Sequence, residues 1–424
     1  MFDIILTIVA FILVFSILVL VHECGHFFTA KKSGVHVEEF GFGLPPRAKT
    51  LWRDKSGTIY SLNWIPFGGF VKMLGEDLAV PDKPVQPILP KHPTEEEKRF
   101  YQEEKKRYPQ MLKEYEEKMK IWNNPHSFGA QTLWKRMIIV TAGVMMNFIL
   151  AIVALTIVFT AGFYPLAIVD DQKIPVNSYI IQRESFAKKT GTLAVDSSVQ
   201  GVTIEKVEEH SVSQQAGFHA GDIVLLINNK KIDNAIALIN MTKENAGKQM
   251  TFVVQRGDQQ HTLFVTPEEN KPIGIYLKPE FTLHLVQFPF PSSVVKASEE
   301  VVRQSYITLI LAKNVITDLF QKFTVPQGVA GPVGIAQMTN TFVKMGFIPL
   351  LMFLAMLSIS LGVLNILPFP ALDGGRFLFM LFELITRRKP NAKVEAMIHS
   401  AGFALLMLLI LAVTWNDIVR LIHG

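Results

Sequence analysis

From Ile4 to Val21 the chain runs 18 residues without a charge, and the next five are His22, Glu23, Cys24, Gly25 and His26. An uncharged stretch of that length predicts a membrane-spanning helix. Ionisable side chains at such depth are costly, so three of them in five positions require a task. On a helix, His22 and His26 are about 40° apart in rotation and about 6 Å apart in rise, so both imidazoles can reach one metal ion. Glu23 sits about 60° from His26 on the neighbouring flank, placed to act as a base on water at that ion. Cys24 points to the other side of the helix and reads as a small apolar filler. Gly25 thins the helix where a second element can approach. The competing reading, a pair of satisfied core histidines, has three ionisable groups in five positions to account for.

Composition agrees with a membrane chain. Of 424 residues, 49% are hydrophobic and 19% charged, which excludes an ordinary soluble enzyme and predicts an integral membrane protein. The net charge of +5 is modest, and the densest basic run is interleaved with glutamate, which excludes a nucleic-acid partner. Cys24 is the only cysteine, so no intrachain disulfide can form. The first residues carry Asp3 and no Lys or Arg, which predicts a retained anchor rather than a cleaved signal peptide.

Four spans are expected: Ile4–Ala30, Met137–Phe163, Gly346–Pro368 and roughly Ala401–Leu421. Lys31, Lys32, Lys135, Arg136, Arg376, Arg387, Arg388 and Lys389 flank them. The positive-inside rule assigns those flanks to the cytoplasm. Both termini, and the long segment between the second and third spans, then face outward.

The expected organisation is nine segments. Residues 1–32 hold the first span, and 33–76 a membrane-associated β region in which "TIYSLNWIPFGGFVKM" alternates apolar and polar residues like a hairpin. Residues 77–127 form a charged helical insert. Eight acidic and eight basic residues lie between Thr94 and Trp122, and a break is expected near Pro109. This insert reads as a solvated face or a partner surface. Residues 128–165 carry the second span, 166–198 an external linker, and 199–280 a compact α+β unit. That unit should have five or six strands, two short helices, and Gly257-Asp258 at a hairpin tip. Residues 281–345 form an amphipathic connector, helical from Ser292 to Phe323. Residues 346–376 hold the third span, and 377–424 a cytoplasmic turn and the fourth.

Catalytic zinc takes three protein ligands and leaves a position for water, so two histidines are not enough. The extended soluble pattern would need a histidine at position 32, where Lys32 stands. The remaining candidate is Asp373 in "LNILPFPALDGGRFLF". Pro368 and Pro370 prevent a regular helix there, and Gly374 and Gly375 should let this loop approach the first helix. Alone, an Asp-Gly pair is more often a turn. Its pairing with the first motif is what raises it.

The motifs HECGH, "FGFG", "PFGGFVKM", "SFGAQTLWKRMIIVTAGVMMNF", "GVAGPVGI" and "NILPFPALDGGR" occur in the order of the bacterial site-2 proteases, and the chain resembles their RseP-type intramembrane zinc metalloproteases. "AGFHAGDIVLLINNKKI" likewise resembles a PDZ domain of the bacterial protease-associated kind. The resemblance implies a mainly α-helical membrane protein with about four transmembrane helices, a membrane-associated β-hairpin and one extracytoplasmic PDZ-like α+β domain. It implies Zn2+ held by His22, His26 and Asp373, with Glu23 as general base. It implies that Asn365 contacts the substrate backbone, and that Phe67, Gly68, Gly69, Phe70, Val71, Lys72 and Met73 hold an unwound substrate.

Substrates would be single-pass membrane proteins, such as anti-sigma factors or remnant signal peptides, in the bacterial cytoplasmic membrane. The PDZ-like unit would either bind a peptide or exclude bulky ectodomains. The sequence departs from the family in the long insert, in Cys24 where phenylalanine is common, in Gly143-Val144 where Gly-Pro is usual, and in having one PDZ-like unit. Two other classes are open: a membrane-anchored PDZ scaffold or chaperone that does not cut, and a metal transporter. An intact Glu23 argues against the first, since binding needs no base. The lack of an inverted repeat argues against the second.

Overall fold

Among the described residues, four helices are long and apolar enough to cross a bilayer, and each leaves part of its apolar surface uncovered by protein. Ile5, Leu6, Ile8 and Leu13 on the first, and Leu405, Leu408 and Leu411 on the last, are exposed, as lipid-facing side chains are. The computed structural model describes residues 2–76, 83–90, 93–172, 174–195, 201–232, 235–268, 271–277, 281–322, 330–388 and 391–423. The start of the charged insert, Val199, Phe323 and Lys389 lie outside the described residues. The chain divides into two compact units, residues 1–163 with 287–424, and residues 164–286.

In the first unit, helix α1 spans Phe2–Ser33, with Lys31 and Lys32 in its last turn. Strands β1 (Val37–Arg53) and β2 (Ile59–Met73) follow. They are more than a hairpin. Phe40 pairs with Val71 on one side and Tyr60 on the other, while Thr50 and Trp52 pair with Ser61 and Tyr60. The order across the sheet is therefore 47–53, 59–63, 37–42, 69–73, four antiparallel rungs made from two strands that fold back on themselves. Proline at 45, 46 and 66, with Gly43 and Gly68 at positive φ, marks the bends. Residues 69–73 form one edge of this sheet, and Gly68 lies against Val19 of α1.

Helix α2 (Glu95–Trp122) opens on a capping box between Thr94 and Glu97 and buries none of its residues. It runs through Pro109, so the expected break does not occur. Proline removes one hydrogen bond and frees one carbonyl, and on a fully solvated helix water takes that carbonyl. Helix α3 (Leu133–Ala161) carries the second span.

The second unit begins with β3 (Ala167–Val169) and β4 (Ile181–Arg183), a parallel pair, then α4 (Glu184–Lys189) and β5 (Leu193–Val195). Among the described residues, the expected linker over 166–198 holds three short strands and a helix. Strands β6 (Val202–Val207), β7 (Ile223–Ile227), β8 (Lys230–Lys231), β9 (Met250–Arg256), β10 (Gln259–Val265) and β11 (Ile275–Leu277) make a sheet of order β10-β9-β7-β6-β11, with β8 on β7. Helices α5 (Val212–Gln215) and α6 (Ala235–Glu244) accompany it. Ile204, Val224, Ile227, Met250, Phe252 and Val254 form its core, by period-2 alternation in β6 and β9 and with a register shift between Val224 and Leu226 in β7. Gly257, at positive φ, turns β9 into β10 as the Gly-Asp pair predicts. Strand β12 (Phe281–Leu283) returns to pair with β5.

Back in the first unit, the expected connector is two helices, α7 (Ser292–Lys322) and α8 (Pro332–Met345). The Asp417 carboxylate accepts hydrogen bonds from the backbone N–H groups of Gly331 and Gly334 at the start of α8. Helix α9 (Phe347–Ile366) carries the third span and stops two residues before Pro368. A separate helix, α10 (Asp373–Thr386), then begins, where the sequence suggested only the end of a span and a turn. Helix α11 (Ala392–His423) carries the fourth span, and the turn expected between 377 and that span is divided between α10 and the start of α11.

Candidate metal centre

Helical spacing places His22 and His26 one turn apart on α1, and the sequence around them brings α3 unusually close. A Cβ on Gly25 would collide with the carbonyl oxygen of Ala142. A Cβ on Gly143 would collide with Nε2 of His26 and lie 2.7 Å from Cε1 of His22. Two glycines, one on each helix, thus let the α3 backbone lie directly against both imidazoles. Gly25 was legible as a thinning point. Cys24 packs half-buried against the apolar cluster of Phe27, Val37, Phe40 and Met137, as a filler does.

Asp373 comes from the other end of the chain as the first residue of α10. Its Oδ2 lies 3.0 Å from Nε2 of His22 and 3.4 Å from Nε2 of His26, and the two nitrogens are 3.1 Å apart. These three atoms form a nearly equilateral triangle. Tetrahedral zinc with bonds of about 2.0–2.1 Å requires ligand separations of about 3.3 Å. The donor set, two imidazoles and a carboxylate, is also one that zinc prefers. Asp373 Oδ2 is buried and accepts no hydrogen bond, so nothing else on the protein competes for it. Among the described residues this is the one cluster of its kind. The residues fit the ion.

Each histidine is oriented from behind. Nδ1 of His26 lies 2.8 Å from the carbonyl oxygen of Ile139, which only accepts, so Nδ1 carries the proton and Nε2 offers its lone pair to the triangle. Nδ1 of His22 lies 3.0 Å from the amide of Asn147, a fully buried residue of α3. An amide can present either end. With the nitrogen toward His22, Asn147 Oδ1 is left buried without a partner. With the oxygen toward it, His22 Nδ1–H donates, and Nε2 is again free for a cation. Ser358 of α9 donates to the Asn147 carbonyl and ties this arrangement to the third span. Asn147 was missed as a site residue, although an amide in mid-span is the signal that finds it.

Glu23 points to the sheet. Its Oε2 accepts the Val71 N–H at 3.1 Å, so the edge 69–73 runs beside the glutamate. Alternation along the strand puts Gly69 and Met73 on the same edge. Lys72, on the other register, pairs with Glu38 at 2.7 Å. Phe67 is exposed and packs edge-on to Phe11 of α1, with ring centroids 6.1 Å apart. Asn365 is half-buried in the last turn of α9, and among the described residues no partner hydrogen-bonds its side chain. Added Cβ atoms at Gly374 and Gly375 would collide with the carbonyls of Leu367 and Phe369, so these glycines let the loop fold closely onto itself while Asp373 beside them meets α1.

The model of peptidase family M50 matches residues 10–409. The chain belongs to that family. It is 31% identical to Zinc metalloprotease RasP of Oceanobacillus iheyensis, over 98% of this chain and 99% of the relative. It is 30% identical to Regulator of sigma-W protease RasP of Bacillus subtilis, with the same coverage, and 29% identical to Probable protease eep of Enterococcus faecalis. A PDZ domain of an SdrC-like protein from Listeria monocytogenes is 19% identical over 19% of this chain and 88% of that one, with a TM-score of 0.18. This M50 peptidase is a zinc-dependent intramembrane hydrolase of the site-2 type and an integral membrane protein. The scaffold and transporter readings fall with that assignment.

Proposed function

We propose that His22, His26 and Asp373 hold the catalytic zinc, that Glu23 is the general base, and that the enzyme hydrolyses peptide bonds within membrane-spanning segments. The observation that carries this is the triangle of 3.0, 3.1 and 3.4 Å between three ligand atoms drawn from opposite ends of the chain. When bound, zinc acts as a Lewis acid that polarises the scissile carbonyl and makes water acidic enough to lose a proton near neutrality. Glu23 takes that proton. Its Oε2 is anchored by Val71, which leaves Oε1 to receive it.

A helical substrate has its amides bonded internally and must unwind before its backbone is open to attack. On the edge 69–73 the Val71 N–H is held by Glu23 and the Met73 N–H by Glu76, so strand addition uses the remaining backbone groups of this edge, and Phe67 and Gly68 form its approach. Asn365 adds an uncommitted amide. Substrates on this reading are single-pass membrane proteins, including anti-sigma factors and remnant signal peptides. The relative named for sigma-W regulation supports the first group. Residues 199–280 of the second unit are read as PDZ-like from the strand order β10-β9-β7-β6-β11 and the helices α5 and α6, and as either a peptide-binding or an ectodomain-excluding element. The basic flanks support an external position for this element and for both termini in the cytoplasmic membrane.

The test is Glu23→Gln in the purified enzyme with a tagged transmembrane substrate. Cleavage should fall by at least about 1000-fold while zinc content stays near one per chain. A variant that cuts at the parental rate removes Glu23 from the mechanism.

A further inference from the structure

The loop that delivers Asp373 is compact and nearly self-contained. Residues 367–372 include two prolines, so only four N–H groups need partners. Leu367 donates to the carbonyl of Leu364, Phe369 to Leu367 and Leu372 to Phe369, all within the loop or the turn before it. The fourth, Ala371, donates instead to Nδ1 of His399 on α11, at 3.0 Å. Ala371 has φ of +75°, a left-handed conformation that a residue with a Cβ adopts only when its surroundings hold it there. It lies two residues before the ligand.

Two further features mark His399 as placed for this contact. Because it faces an N–H donor, its Nδ1 must present a lone pair, so the proton rides on Nε2. Nε2 is buried and has no hydrogen-bond partner. A buried donor left unsatisfied is costly, which is unexpected of a histidine present only for packing. Around it, Gly402 lets Pro370 come against α11, since a Cβ there would collide with the proline ring. The ring of Phe379 on α10 lies 5.4 Å from the imidazole. The fourth span thus touches the loop before Asp373 and the helix after it.

We infer that His399 is a positioning residue for the metal centre. Its Nδ1 holds Ala371 in the left-handed turn that starts α10 at Asp373 and so fixes the carboxylate within reach of both imidazoles. This rests on the reading of Asp373 as a zinc ligand. The sequence motifs around Asp373 give no hint of it, because the partner lies 28 residues away in another span.

The test compares His399→Asn, His399→Gln and His399→Leu with Asp373→Asn in full-length, zinc-loaded enzyme in detergent, reading the rate of zinc loss to a chelator. Asn Oδ1 occupies the position of histidine Nδ1 and keeps the acceptor, whereas Gln and Leu do not. Zinc loss should quicken about 10- to 100-fold for Gln and Leu and stay within about threefold of the parent for Asn. Parental zinc retention in the Gln and Leu variants, or loss from Asn equal to that from Leu, overturns the inference. Asp373→Asn is the control on the underlying reading. If it too keeps zinc at the parental rate, the ligand assignment fails; if it alone loses zinc, only the role of His399 fails.

Discussion

Two aspartates, one in each unit, show how the same side chain serves opposite ends. Asp222, fully buried beside β7, has every oxygen satisfied: Oδ1 accepts from Arg256 Nε, and Oδ2 from Arg256 and the His219 N–H. Burial pushes its pKa up, but these bonds and the Arg256 charge outweigh that and hold it below the ordinary carboxylate range. Asp373 Oδ2 is buried with no donor and faces two imidazole nitrogens. A carboxylate completed by the protein acts as a structural bolt. One left incomplete and surrounded by lone pairs is poised for a cation, and the difference can be read from its hydrogen-bond partners alone.

The sharpest way to break this comparison is to neutralise both. Asp373→Asn should weaken zinc binding by about 1000-fold or more, equivalent to about 4 kcal/mol, as measured by competition with a chelator. The metal-free protein should be about as stable as the parent, since Asp373 Oδ2 has no hydrogen-bond partner to lose. Asp222→Asn should do the reverse. It should cost about 3 kcal/mol in the second unit, read as hydrogen exchange in β7 and β9, and leave zinc affinity unchanged. If Asp222→Asn loses zinc, or Asp373→Asn unfolds the metal-free chain, the contrast is false.

Acid sharpens it further. Because the folded-state pKa of Asp222 is lowered, its contribution is complete above the unfolded carboxylate value near 3.9. It is lost as pH falls through the lower folded value. Arg256→Leu should therefore begin to lose β7 and β9 protection at a higher pH than the parent. The smallest effect is expected at Asn147. Asn147→Leu should weaken zinc about tenfold, because His22 keeps its lone pair but loses the partner that orients its ring. An unchanged affinity there would mean that packing against Gly143 alone orients the imidazole.

Much of the site was open to a reader of the sequence, for a definite reason. Helical periodicity is local, so His22, Glu23 and His26 could be placed on one helix from their spacing alone. Gly25 was likewise readable. What lay across helices was not. The collision that requires Gly143, the orienting contact of Asn147, and the hold of His399 on Ala371 each join residues more than 25 positions apart. For the glycines after Asp373 the nearest backbone is that of their own loop, which the sequence could not name, because a glycine announces a close approach without its partner. Helix α2 survives Pro109 since its neighbour there is water, which no local propensity encodes. The stretch 58–73 was read as a hairpin or sheet-like element without its partner 37–42, because alternation fixes a strand's faces and leaves its bends and second partner open.

By itself, the sequence determined four spans, a helix presenting two imidazoles and a carboxylate, and a small strand-rich unit, because hydropathy and period are properties of neighbouring residues. Only the tertiary structure decided that Asp373 lies within 3.4 Å of both histidines, that Val71 meets Glu23, and that the last span steadies the loop between. Those contacts depend on how rigid helices stack, and the stacking is set by glycines and prolines whose partners are chosen by the whole fold.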